Sequence, residues 1–144
     1  MVNFFHLINR DNIHYSVNEK EKKVVCWIEN TENLFIDFFS QHSKITFRNF
    51  YYEKFFEALK MPNKFIGVAT CGPDDIWDEK LGRLIAYDRA KKKVSSSFFK
   101  RANYCVDKME SFLDEICADI NNYGAKLQKN QDHREDLINS FLGE

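Results

Sequence analysis

The stretch Phe65–Lys93, FIGVATCGPDDIWDEKLGRLIAYDRAKKK, decides how this chain is read. Its periodicity changes from two-fold to helical within a few residues. Phe65, Gly67, Ala69 and Cys71 alternate with Ile66, Val68 and Thr70, a pattern rich in strand formers, and a short strand buried on both faces is expected. Gly72-Pro73 ends it. Proline gives a ladder no N–H, but suits the first turn of a helix, where that N–H would be unpaired anyway. Asp74, Asp75, Asp78 and Glu79 then fall in the first turns of the expected helix and complement its positive dipole end. Asp75 and Asp78 have capping-box spacing in an acidic variant.

Along that helix, Trp77, Leu81, Leu84 and Ile85 form an apolar face. Gly82, Ala86 and Ala90 form a second stripe of small residues, which lets another backbone come close. A glycine inside a helix costs about 1 kcal/mol against alanine, so Gly82 needs such a reason. Lys91, Lys92 and Lys93 have the right sign for a helix C-terminus.

Working toward the N-terminus, residues 64 and below read as short elements. Ile13–Val17 alternates like a strand, Asn18–Lys22 is a charged turn, and Val24–Ile28 is the return strand of a hairpin. Thr31 is a candidate cap for a short helix carrying Leu34, Phe35, Phe38 and Phe39, although that run also reads as a strand. Ile45-Thr46-Phe47 is a third strand candidate. Phe50–Lys60 has helical spacing, stopped by Pro62.

Toward the C-terminus, Ser95-Ser96-Ser97 interrupts the pattern and supplies cap candidates. A second, longer helix is expected over 97–129. Its near-heptad seam comprises Phe98, Ala102, Cys105, Met109, Phe112, Ile116, Ile120, Tyr123 and Leu127. A helix of about 33 residues would be about 50 Å long. That exceeds a compact domain of this size, so the helix should project or fold back at Gly124. A second copy of the chain is the simplest cover for the seam, with Met109, Phe112, Leu113, Ile116 and Ile120 as the oligomer interface. Asp132 and Glu135 are spaced as a capping box before a last apolar face at Leu137, Ile138, Phe141 and Leu142.

The fold expected is α+β: a small, mainly antiparallel sheet within residues 13–71, then a helical C-terminal half with one long helix. At 144 residues a single domain over 1–144 is expected, with a strand-rich part at 1–71 and a helical part at 75–144. The 14 Phe include adjacent pairs such as Phe4-Phe5, Phe38-Phe39 and Phe98-Phe99. Adjacent rings seldom face the same side of one element, so they build either a thick core or a second surface. Formal charge is −1, which gives no bulk attraction to nucleic acid or membrane. No run approaches the length of a membrane span, and the N-terminus lacks signal-peptide organisation. Cys26, Cys71, Cys105 and Cys117 form no C-x-x-C and sit in apolar contexts, as reduced cysteines of a cytoplasmic protein do.

No catalytic constellation is legible. The acids at 74–79 are accounted for by helix capping and a solvated face rather than by a metal site. His6, His14, His42 and His133 have no helical metal spacing. There is no nucleophile elbow, P-loop or dinucleotide fingerprint. A non-enzyme without cofactor or metal is expected. The basic residues are more suggestive. Lys91, Lys92, Lys93, Lys100, Arg101 and Lys108 face the single acid Asp107 across 91–108, while Glu110, Asp114, Glu115 and Asp119 follow with no base up to Tyr123. Helix-end charge and solvated lysines explain much of this. Arginine with an aromatic ring also suits a phosphorylated, planar ligand. The candidate ligand-binding set is Trp77, Arg83, Arg89, Lys93, Phe98, Lys100 and Arg101. Arg83 and Arg89 are offset by about 120° on a helix, so a pocket using both would need a neighbouring subunit.

Gly67-x-Ala69-x-Cys71-x-Pro73-Asp74-Asp75-x-Trp77-Asp78, followed by Gly82, Ala86, Arg89 and Ala90, resembles a motif of small proteins encoded by phages of Gram-positive bacteria, which often have Phe in place of Trp77. The match spans residues 67–92. It is similar to the anti-defence proteins that sequester cyclic ADP-ribose signals and block the Thoeris system. That resemblance implies a non-enzymatic, oligomeric binding protein in the host cytoplasm, whose partner is a nucleotide second messenger or a host defence protein. Two other readings are a nucleic-acid-binding accessory protein using 91–108 and a structural phage component.

Overall fold

A computed structural model of the chain describes residues 4–42 and 53–143. The strand candidate at 45–47, the start of the helix expected from Phe50 and the pair Tyr51-Tyr52 lie outside the described residues. The fold is α+β. Among the described residues, six main elements follow in order: β1 (Ile13–Asn18), β2 (Lys23–Glu29), α1 (Leu34–His42), α2 (Glu53–Leu59), β3 (Lys64–Thr70) and α3 (Glu79–Leu142). Two short 3-10 turns, Phe4–Leu7 and Arg10–Asn12, precede β1.

The sheet is antiparallel, with strand order β1-β2-β3. In the hairpin, Tyr15 pairs with Cys26 and Asn18 with Lys23. Its turn is tight because Lys22 adopts a left-handed φ of 49° and the Glu21 amide donates to Asn18 Oδ1 at 3.2 Å. On the other side of β2, Cys26 pairs with Gly67 and Trp27 with Ile66. β3 is not buried on both faces, contrary to the expectation from its apolar run. Phe65, Gly67 and Ala69 are buried while Lys64, Ile66 and Thr70 are exposed. A three-stranded sheet with one helix across it covers a single face, and the two-fold alternation of β3 sorts to that face.

The helices differ from expectation in two respects. First, residues 72–78 are not helical, and α3 begins at Glu79. Asp78 is its cap: its Oδ1 accepts from the Leu81 amide at 3.1 Å and its carbonyl from the Gly82 amide at 2.9 Å. Asp75 serves a separate turn, in which its amide donates to the Gly72 carbonyl and its Oδ2 accepts from the Gly72 amide. Asp74 and Asp75 therefore precede the helix. Second, α3 is one helix from Glu79 to Leu142, continuous through Ser95–Ser97, Gly124 and Asp132. Ser97 caps nothing; its Oγ and carbonyl accept from Arg101 Nη1 at 2.7 and 3.2 Å. Asp132 and Glu135 accept from Gln128 and Gln131, one turn back on the same helix. Along 79–90 the small-residue stripe makes the close backbone approach expected of it, and the larger apolar residues face outward. Ala86 and Ala90 are fully buried, whereas Leu81, Leu84 and Ile85 are exposed. The small stripe faces the sheet because Gly67 leaves no room for anything larger: a Cβ there would meet the backbone of Ala86 and Ala90.

Thr31 does not cap α1 through its side chain. It is buried, its hydroxyl donates to the Pro62 carbonyl, and its own carbonyl accepts from the Leu34 amide at 3.2 Å. It thereby ties the start of α1 to the segment entering β3.

By its contacts the chain divides into two compact units, Met1–Asn103 and Tyr104–Glu144. The first has a core of Val24, Cys26 and Ile28 from β2, Leu34 and Phe35 from α1, Phe55 and Leu59 from α2, Phe65 and Ala69 from β3, and Ala86, Ala90, Val94 and Phe98 from α3. Phe98 anchors it, meeting Phe35 and Phe38 edge-on at 5.0 and 5.1 Å. This is the favoured aromatic geometry. The second unit is helical throughout residues 104–142. No described helix is long and apolar enough to cross a membrane.

Candidate functional site

The residues expected to bind a planar, phosphorylated ligand do not converge. Arg89 and Lys93 lie one turn apart on α3 and reach the outer edge of β3, where Arg89 Nη1 donates to the Val68 carbonyl and Lys93 Nζ to the Ile66 carbonyl at 2.6 Å. Alternate carbonyls along a strand point the same way, so two cations at i and i+4 on a helix can serve them together. Arg83 is held by Glu79, with Nη2 at 2.9 Å from Oε1, and its guanidinium lies over the Tyr15 ring at 5.1 Å. Arg101 is partly buried; besides Ser97 it donates from Nε to the Lys60 carbonyl at 3.1 Å, joining α3 to the end of α2. Phe98 is only 4% exposed and is a core ring with no face for a ligand base.

Three of the set do share a groove. Lys93, Lys100 and Arg101 line a shallow pocket of about 320 Å³ with Pro62, Phe65, Ser96 and Ser97. Lys100 is exposed. The groove is basic, and its one aromatic lining residue, Phe65, is a buried core ring.

Trp77 lies elsewhere. It lines a cavity of about 590 Å³ formed by the end of β3, the 71–78 loop and the first turns of α3. Ala69, Ile76, Trp77, Leu81 and Ile85 supply apolar walls, and Asp74, Asp75 and Asp78 supply carboxylates. No lysine, arginine or histidine lines it. The loop exists because Pro73 and the Gly72–Asp75 turn hold the chain off the helix until Asp78 caps it. Sequence reasoning placed these acids in a helix and so missed the cavity. The one local hint was Ile76 beside Trp77 in an acidic run. Ile76 belongs to no helical stripe, and it is 94% exposed.

The second tryptophan is engaged on the outer sheet face. His14 stacks on Trp27 at 5.5 Å, Trp27 Nε1 donates to Glu29 Oε1 at 3.0 Å, and Lys64 lies over the ring at 5.2 Å. Among the described residues no group of three or more His, Cys, Asp or Glu could hold a metal ion. All four cysteines are free.

In the second unit, the residues expected at an oligomer interface lie on one helix. Phe112, Leu113, Ile116 and Ile120 are exposed and Met109 is half-buried; Tyr123 and Leu127 continue the exposed stripe. A further apolar patch is formed by Leu137, Ile138, Phe141 and Leu142.

No protein-family model, curated protein or solved structure matches the chain.

Proposed function

We propose that this chain is a phage-type anti-defence protein that works by binding, without catalysis, in the cytoplasm of a bacterial host. It assembles as a homo-oligomer and acts on a host defence protein rather than on a nucleotide signal. The observation that carries the binding reading is the exposed stripe Phe112, Leu113, Ile116, Ile120, Tyr123 and Leu127. A run of large apolar side chains over several turns is an interaction surface or an aggregation liability. The anti-defence reading rests on the resemblance of residues 67–92.

The choice of a protein partner is supported by the use already made of the cations. Arg89, Lys93 and Arg101 donate to backbone carbonyls, Arg83 pairs with Glu79, and Phe98 is in the core. A nucleotide pocket needs guanidinium groups and a stacking ring directed at one volume.

The test is a plating assay. Expression of the chain in a Gram-positive host carrying a Thoeris system should restore plaque formation by a phage that the system restricts. The doubly substituted Leu113→Glu, Ile116→Glu chain should not restore it. Unchanged plating with soluble wild-type protein would overturn the reading.

The groove of Lys93, Lys100 and Arg101 favours a second reading, a nucleic-acid backbone as ligand. Salt separates the two. Phosphate-backbone affinity falls steeply as salt rises, whereas a protein interface is much less sensitive.

A further inference from the structure

We propose that the Trp77 cavity is the docking site for a lysine or arginine side chain of a protein partner. This deepens the protein-binding reading and rests on it, since it names the chemistry that the partner presents.

Two of the three carboxylates in the cavity wall already have local roles. Asp78 caps α3 and Asp75 closes the Gly72 turn. Asp74 makes no hydrogen bond or ion pair among the described residues, and local structure gives it no role. Three carboxylates line one cavity without a basic residue among its walls. Anionic ligands, phosphates included, are repelled from such a volume, and a cation is attracted.

The walls select the kind of cation. Ala69, Ile76, Trp77, Leu81 and Ile85 would be in poor company with a small hydrated ion. They suit an apolar stem that ends in a charge, which is how lysine and arginine are built. The half-buried Trp77 ring offers a cation–π surface at the same place. The floor is closed: a Cβ on Gly82 would stand 2.8 Å from Val24 Cγ2, so α3 lies tightly on β2 there. At about 590 Å³ the cavity falls within the range of about 300–1,000 Å³ typical of ligand clefts. That is room for a side chain with its flanking residues. Ile76 adds an exposed apolar contact for those neighbours. A free amine would satisfy the carboxylates but leave the apolar walls unused, so a peptide-borne cation is the better occupant.

The test uses the full chain labelled with 5-fluorotryptophan, which reports Trp27 and Trp77 as two fluorine resonances. The probes are capped tripeptides in which lysine, arginine or glutamate lies between two leucines. The lysine and arginine peptides should shift the Trp77 resonance in a saturable way and leave Trp27 in place. Asp74→Asn should weaken that binding by about 2- to 5-fold, the scale of an exposed ion pair, without altering the melting temperature. An equal Trp77 shift with the glutamate peptide, or no shift with any peptide at millimolar concentration, would overturn the inference. Failure here with plating still restored by the wild-type chain would remove the cavity and keep the anti-defence reading. Lysine and arginine binding without any effect on plating would do the reverse.

Discussion

Gly67 of β3 is packed directly against the backbone of α3: a Cβ built on it would overlap the Ala86 carbonyl and come within 2.5 Å of the Ala90 amide nitrogen. Neither atom can move without shifting the helix. Gly67→Ala should therefore destabilise the first unit by at least about 1–3 kcal/mol, the cost of overpacking a filled core. Urea denaturation measures it. Gly124→Ala is the matched contrast. Nothing lies within 4 Å of a Cβ at Gly124, and alanine should stabilise the helix there by about 1 kcal/mol. Equal effects at the two sites would contradict this packing.

Arg89→Ala should act on the sheet edge rather than on a ligand. It frees the Val68 carbonyl, and with Lys93→Ala the Ile66 carbonyl as well. Each loss should cost about 0.5–1.5 kcal/mol, and the double variant should aggregate more readily because an edge strand is uncovered. Denaturation midpoints and light scattering check both effects. Phage plating should survive Arg89→Ala at temperatures where the variant is folded. Loss of plating by folded protein would return Arg89 to a ligand site.

The stripe of the second unit predicts self-association. Val106, Leu113, Ile120 and Leu127 recur every seven residues beside Phe112 and Ile116, giving a face wider than a two-stranded seam needs. Light scattering should report more than two chains for the wild type at micromolar concentration. Leu113→Glu with Ile116→Glu should yield monomer or insoluble protein. A monomeric wild type would refute the assembly.

Stability should decline at alkaline pH. Burial pushes the Cys105 thiol up to about 11 from an ordinary value near 9. Burial is also the main cause of the upward shifts of Cys26, Tyr15 and Tyr87. Each folded group holds its proton more tightly than the unfolded chain does. The associated stability is complete below about pH 9 and is lost as pH rises through 11. Urea midpoints should fall between about pH 9 and pH 11, with a shallower fall in Cys105→Ala. A midpoint independent of pH would contradict the burial of these groups.

The sequence alone determined the hairpin, β3, the helix that follows and the α+β class, because two-fold and 3.6-fold periodicities are local properties of a chain. It also showed that Gly82, Ala86 and Ala90 allow a close backbone approach. Tertiary structure alone decided which approach that was. The same helix offers a large apolar face at Leu81, Leu84 and Ile85, and only the contact with Gly67 selects the small one. Helix boundaries were equally underdetermined. Asp75 and Asp78 both read as first-turn acids, but the Gly72 turn delays the helix to Glu79 and opens the Trp77 cavity. Ser95–Ser97 resembles a break, yet the helix runs through it because Ser97 is buried with Arg101 on its hydroxyl and carbonyl. The basic and aromatic candidates were legible as residues but not as a site. Sequence spacing records which side chains share a helix face, whereas Arg89 and Lys93 found their partners on a strand, and Phe98 found its own in α1.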